Sequence, residues 1–380
     1  MRPLRFRNAR VLGPEGWHGA DLEIAAGRFA APEADRVVDA AGYRLLPGIV
    51  DLHGDGFERH VAPRRGALHD TEGGLFATAA ELAANGITTA YLAQFWSWEG
   101  GLRGPDFAEE VFAAWAAMRD RVEIDLRMQL RLETHMIDDF ARAEATVAAH
   151  GIDYLVFNDH LQHKRLAEER RPKQMTGQAL KSGRSPEAHF AYMLELHRNG
   201  PKVGPALDAL AARLKAAGVR LGSHDDASAE TRQGWRARGV AIAEFPETRA
   251  AAEAARAAGE AVIMGAPNVV RGSSHKRNVA AAELIAEGLC DALASDYHYP
   301  APLSAVRRLV ATGVCDWETA WSLVSEGPAR VLGLSDRGRI APGCRADLVV
   351  LDAEDRVAAT FAGGQVAYMT GEFAARMLSS

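Results

Sequence analysis

An imidazole and a carboxylate stand two residues apart at His53-Gly54-Asp55, where the apolar run Ile49-Val50-Asp51-Leu52 ends. Alternate residues of a strand share a face, so both side chains would point the same way at the strand's end. A neutral imidazole nitrogen and a carboxylate oxygen in that relation can hold a divalent metal ion. The same residue types recur further along the chain. Glu133 and His135 close LRLETH, Asp159 and His160 close YLVFNDH, RLGSHDDA offers His224, Asp225 and Asp226, and DALASDYHYP offers Asp296 and His298. One such histidine is more often a packing residue than a ligand. A His or a carboxylate at the end of strand after strand is a pattern that packing alone does not ask for.

Six residues make the candidate ligand set: His53, Asp55, Glu133, His160, His224 and Asp296. One ion needs three or four ligands, so six suffice for two ions if one carboxylate bridges them, and Glu133 is the residue chosen for the bridge. The donor types suit Zn²⁺, with Mn²⁺ or Fe²⁺ as alternatives. A pair of ions about 3.5–4 Å apart would share a hydroxide and clamp both the attacking and the leaving oxygen. Asp296 would then orient that hydroxide and take its proton as general base. His135, His163 and His298 lie beside this set with no role that the sequence assigns.

These side chains need a scaffold that brings strand ends together. Apolar strand candidates fall at 49–53, 87–93, 126–134, 153–158, 219–223, 240–244, 261–265 and 291–295, separated by Ala-rich helical stretches such as EGGLFATAAELAANG and ETRAAAEAARAAG. Eight strands alternating with helices predict an α/β chain built on a (β/α)₈ barrel, whose functional groups sit where the strands end. A doubly wound open sheet is the alternative, weakened by the lack of a Gly-rich dinucleotide fingerprint after the first strand. The short strand patterns before Leu45 and from Arg337 onward predict a small β-sandwich domain from both chain ends. The expected domains are 1–46 plus 336–380 for the sandwich and 47–335 for the barrel. A long excursion at 161–203 interrupts the rhythm. Its nine Lys and Arg against four Glu make it basic within a chain of net charge −6, which fits either a solvated helical hairpin or a lid over an anionic substrate.

A second group of residues points to anions. MGAPNVVRGSSHKRNVAAAEL runs from a strand into a Gly/Ser-rich loop and then a helix, with Arg277 and Asn278 expected to open that helix. Backbone N–H groups at a helix start attract phosphate. Arg271, Ser273, Ser274, His275 and Lys276 lie in the loop, and Arg59, Arg64 and Arg65 follow the first metal strand. The candidate substrate contacts are Arg59, Arg64, Arg271, Ser273, Ser274, His275, Asn278 and, from the insertion, Arg165. The net negative charge argues against nucleic acid as a partner. There is no apolar run long enough for a membrane span, and the opening MRPLRFRNARVLGPEG lacks the apolar core of a secretory signal. Cys290, Cys315 and Cys344 are too widely spaced for a paired metal or redox motif. A cytoplasmic protein is expected, with a twofold homodimer as the default assembly.

The ligand set and the closing RGRIAPGCRADLVVLD resemble the amidohydrolase superfamily, metal-dependent barrels flanked by a β-sandwich. SHDDASAE, VAIAEFPET, MGAPNVVRGSSHKRNVAAAEL and ASDYHYPAPL together are similar to the PhnM-type family of phosphonate metabolism, the α-D-ribose 1-methylphosphonate 5-triphosphate diphosphatases. That resemblance implies one or two divalent metal ions, a small anionic phosphate or phosphonate substrate, and hydrolysis of a ribose 5-triphosphate to the 5-phosphate and diphosphate by a metal-bound hydroxide. It also implies His-x-Asp in place of the superfamily's usual His-x-His, as His53 and Asp55 have it, and supports Glu133 as the bridge. GDGFERHVAPRRG and QFWSWEGGLRG depart from the family pattern, and Trp96 and Trp98 are candidates to stack on a base or sugar. The alternative activity is a metal-dependent amidase or deacetylase acting on a small phosphorylated or phosphonylated substrate.

Overall fold

The computed structural model of the chain describes residues 3–30, 36–64, 69–173, 175–272 and 278–379. Among these, eight strands form one sheet in chain order: Ile49–Gly54, Ile87–Trp96, Asp125–Glu133, Tyr154–Asn158, Arg220–His224, Ile242–Glu244, Ala261–Gly265 and Ala292–Ala294. The neighbouring pairs are parallel, for example Leu130 beside Leu155 and Val156 beside Gly222. The first strand also meets the eighth. Asp55 N–H donates to the Asp296 carbonyl and Asp296 N–H to the His53 carbonyl, each at 2.9 Å. This is the (β/α)₈ architecture the sequence predicts.

Near-continuous apolar runs make these strands because both their faces are covered. Every residue of Ile49–Gly54 and of Ile87–Trp96 is buried. Several of the helices between them start on a side-chain cap and are followed by glycine. Thr248 accepts from Ala251 N–H at the head of Arg249–Ala257, a helix that buries Ala251, Ala252 and Ala255. Small alanines let this helix lie close to its neighbours, and Gly259, at φ +72°, ends the turn that follows.

The chain divides into two compact units, one comprising the residues up to Leu92, Met118–Arg127 and those from Ile263 onward, the other Ala93–Ala117 and Met128–Val262. The first also holds two further sheets, one of four strands from the N-terminal segment and one of six strands that joins both ends of the chain. Arg44–Pro47 pairs antiparallel with Leu348–Leu351, Leu348 standing opposite Pro47. Their core includes Phe6, Phe361, Tyr43 and Phe373, with Phe6 and Phe361 edge to face at 5.6 Å. The second unit contains the insertion, which folds into the helices His163–Ala167, Met175–Lys181 and Pro186–Arg198 and leads into Gly200–Ala216. That last helix already begins within the excursion, at Gly200, because Pro201 is accommodated in its first turn. Among the described residues no helix is long and apolar enough to cross a membrane.

Candidate active site

In the first unit, His53, Asp55 and Asp296 each offer a ligand atom within 4.8 Å of the others. Simple strand alternation does not by itself place them. The pairing of the first two strands slips between Asp51 and Gly54, so a bulge re-aims the strand end. The crossed backbone bonds between 53–55 and Asp296 then set the register. Asp296 sits in the left-handed region at φ +57°, a conformation that costs a non-glycine residue about 1–3 kcal/mol and tends to mark functional sites. Behind the ligands, Asp51 is buried and accepts from Ser295 twice, from Oγ at 2.5 Å and from N–H at 2.9 Å. Burial pushes the Asp51 carboxyl up, and the two Ser295 bonds oppose that shift. Gly54 fits between them because a Cβ there would lie 2.8 Å from Tyr299 Cε1 and 2.9 Å from both Asp51 Oδ2 and Ser295 Oγ. The Tyr299 hydroxyl is buried with no hydrogen-bond partner among the described residues, and burial, then the charges of Asp51 and Asp55, raise its pKa well above the usual tyrosine range.

Two expected anion contacts converge beside Asp296. Arg59 Nη1 donates to the Tyr297 carbonyl at 3.2 Å, and Arg271 Nη1 donates to the Tyr297 hydroxyl at 2.6 Å. Arg59 also pairs with Glu81 at 2.5 Å. Arg64 is exposed. Asn278 does not open a helix. It lies in coil, the helix that follows is Ala281–Ala286, and Asn268 Oδ1 takes its first N–H, that of Ala281, at 3.0 Å. Among the described residues the helix therefore starts three positions later than expected. Ser273, Ser274 and His275, with Arg65, Lys276 and Arg277, lie outside the described residues.

In the second unit, Glu133 is fully buried at the end of the third barrel strand. It accepts from Trp98 Nε1 at 3.1 Å and from His160 N–H at 3.2 Å, and it hydrogen-bonds His160 Nδ1. Burial works against a charged His160, but the Glu133 charge and hydrogen bond win and raise its pKa. The rings of His160 and His224 are 6.3 Å apart. His224 Nε2 lies 3.0 Å from Arg131 Nη2, and that buried guanidinium stacks over Phe95 at 4.0 Å. Trp96 and Trp98 are both buried, so they do not stand exposed to stack on a base or sugar. The second strand runs on to Trp96 and carries them inward, and Trp98 serves the carboxylate of Glu133 instead. Arg165 donates Nε to the Arg171 carbonyl at 3.3 Å, and within the insertion Arg171 pairs with Glu187 and Arg198 with Glu169.

The brace of Asp51 and Ser295, the Trp98 bond to Glu133, and Arg131 were not picked out from the sequence. Asp51 had a visible signal, a carboxylate in the middle of an apolar strand. Arg131 had the same kind of signal in LRLETH.

An imidazole and two carboxylates around one point suit a divalent ion of the zinc, manganese or iron type, so the first-unit residues fit a metal. The sequence pattern of the amidohydrolase family matches residues 55–368. The alpha-D-ribose 1-methylphosphonate 5-triphosphate diphosphatase of Escherichia coli (strain K12) is 34% identical over 363 residues, covering 93% of this chain and 94% of that protein. Among solved structures, an amidohydrolase from an environmental sample of the Sargasso Sea superposes with a TM-score of 0.65 at 14% identity, over 99% of this chain and 97% of that one. The N-acetyl-D-glucosamine-6-phosphate deacetylase of Mycobacterium smegmatis does so with a TM-score of 0.56 at 20% identity, over 97% and 100%. The last two share the fold, while the family pattern and the near-full-length relative carry the kinship: this chain belongs to the amidohydrolase family and is a metal-dependent hydrolase.

Proposed function

We propose that this chain hydrolyses the phosphoanhydride of α-D-ribose 1-methylphosphonate 5-triphosphate, giving the 5-phosphate and diphosphate. The observation that carries this reading is the near-full-length relative of that activity at 34% identity, joined to an acidic and imidazole cluster flanked by two arginines. His53, Asp55 and Asp296 would hold one divalent ion, and Glu133, His160 and His224 are assigned as ligands of a second. A bound ion of this kind acidifies water and polarises a phosphoryl oxygen.

The residues around the ion do the rest. Asp296 receives the proton of the attacking water on its carboxylate as the new O–P bond forms at the α-phosphorus. The bond from that phosphorus to the β-bridging oxygen breaks, and diphosphate leaves with the bonding pair. Arg59 and Arg271 face the charge that builds on that leaving group, the kind of preorganised cation that stabilises phosphoryl transfer. Asp51 and Ser295 hold the His53 strand end in place.

The test is diphosphate release by metal-reconstituted protein from the ribose triphosphate, from ATP, and from a panel of N-acyl phosphosugars. Fast release from the ribose compound, lost by orders of magnitude in Asp296→Asn, is the expected result. Acyl cleavage without diphosphate release would overturn the proposal in favour of a carbonyl substrate.

A further inference from the structure

We propose that His135, Asp159 and His163 form a transition-metal site of their own, distinct from the ligands assigned above, and that it pins the 161–203 insertion to the ends of the third and fourth barrel strands. The three residues come from three places in the second unit. His135 follows the third strand, Asp159 follows Asn158 at the end of the fourth, and His163 opens the first helix of the insertion. Each offers a ligand atom within 4.8 Å of the others. His163 Nε2 lies 2.9 Å from Asp159 Oδ2, and His135 Nδ1 lies 3.7 Å from Asp159 Oδ1. A tetrahedral shell with metal–ligand bonds near 2.0–2.1 Å sets its ligand atoms about 3.3 Å apart, and the two observed separations straddle that value.

A fourth residue supplies the independent support. His163 Nδ1 is 2.8 Å from His197 Nδ1, in the last turn of Pro186–Arg198. Two ring nitrogens at that distance need one proton between them. With that proton on His163, its Nε2, the atom facing Asp159, keeps its lone pair for a metal. Metal-bound histidines are commonly oriented by such a second N–H bond. The rings of His135 and His163 lie 4.6 Å apart. Asp159 and His160 are adjacent but diverge, His160 toward Glu133 and Asp159 toward His163, so neighbouring residues serve two clusters. Two imidazoles and one carboxylate suit Zn²⁺, Co²⁺ or Ni²⁺.

The experiment takes the full chain stripped of metal and titrates it with Co²⁺. It compares wild type with His163→Asn and His53→Asn by bound metal per chain, visible Co²⁺ absorption, and the rate of tryptic cleavage within 161–203. We expect His163→Asn to bind one ion fewer, and its insertion to be cut several-fold faster with no protection by Co²⁺. His53→Asn should lose a different ion and keep the Co²⁺-dependent protection. The side chain of His163 is 37% exposed, so asparagine there opens no core cavity, and Asp159→Asn repeats the test at a second position. Unchanged stoichiometry and spectrum in both variants would overturn the proposal, leaving a plain Asp159–His163 ion pair. So would cleavage of the wild-type insertion that ignores Co²⁺.

Discussion

Trp98 donates its indole N–H to Glu133 Oε2 at 3.1 Å, with both side chains shut off from solvent. Arg184 holds the other side of the tryptophan by donating to its carbonyl at 2.9 Å. A buried carboxylate depends on such donors, and losing one costs about 1–3 kcal/mol. Trp98→Phe keeps the ring packing and removes the N–H. The variant should unfold at lower urea with that loss of stability. If Glu133 ligates metal, affinity should fall about tenfold or more, as for other groups that orient a ligand. Unfolding curves and metal titrations that match wild type would show that the bond contributes to neither.

Gly54 carries a sharper steric requirement. Its missing Cβ would sit inside contact distance of Tyr299, Asp51 and Ser295 at once. The residue cannot shift, because Asp55 and His53 on either side are tied to Asp296 through the backbone. Gly54→Ala should therefore cost about 1–3 kcal/mol as overpacking and displace His53 from Asp55 and Asp296. The expected readout is a lower melting temperature together with loss of bound metal. A variant that keeps wild-type metal content would mean that the Asp51–Ser295 pair yields more easily than its short hydrogen bonds imply.

Much of this scaffold was legible in the sequence, since apolar runs between Ala-rich helices mark parallel strands strongly. The third strand was expected at 126–134 and spans Asp125–Glu133, and the seventh matches its expected 261–265. His53, Asp55 and Asp296 were legible as chemistry because a histidine or a carboxylate recurs at the end of strand after strand, a repetition that packing alone does not ask for. What stayed hidden depends on pairing between distant segments. The Asp51–Ser295 brace joins the first strand to the eighth, the bulge before His53 leaves no trace in residue type, and the burial of Trp98 follows only once the second strand is seen to reach Trp96. The expected helix start at Asn278 failed for a similar reason, since the capping side chain, Asn268, comes from the preceding short helix.

Asp347 sets a pH dependence far from the chemistry. Its carboxylate is buried where the two chain ends pair, accepting from Gly363 N–H at 2.8 Å and from Arg345 at 3.2 Å. Burial pushes it up to about 6 despite those partners. A folded-state value above the unfolded one means that the native form holds its proton longer. Stability from this group is full below about pH 4, falls as the unfolded chain ionises first, and has fallen by up to about 3 kcal/mol once pH passes the folded value. Asp347→Asn imitates the protonated form and is flat over that window. The stability of wild type minus variant should thus decline between about pH 4 and pH 7 in denaturant titrations. A constant difference would mean that Asp347 ionises alike in the folded and the unfolded chain, with no upward shift from burial.

Arg271 and Arg59 both end on Tyr297, one residue past Asp296, but they are not equivalent. Arg59 shares its charge with Glu81 at 2.5 Å, whereas the described contact of Arg271 is to a neutral hydroxyl at 2.6 Å. A cation balanced by a carboxylate has less field to offer a phosphate. A charged hydrogen bond is worth about 1.5–3 kcal/mol, or about 10–100-fold in binding. Arg271→Gln should therefore raise KM by that factor for a triphosphate substrate and change it little for a monophosphate, and Arg59→Gln should do the same more weakly. Tyr297→Phe tests the anchoring separately. It leaves the charge in place but frees the guanidinium, so KM should rise less than in Arg271→Gln and recover no further with added salt. Equal effects of Arg271→Gln on both substrates would remove it from the β- and γ-phosphates, and a larger effect from Arg59 would reverse the assignment of which arginine meets the leaving group.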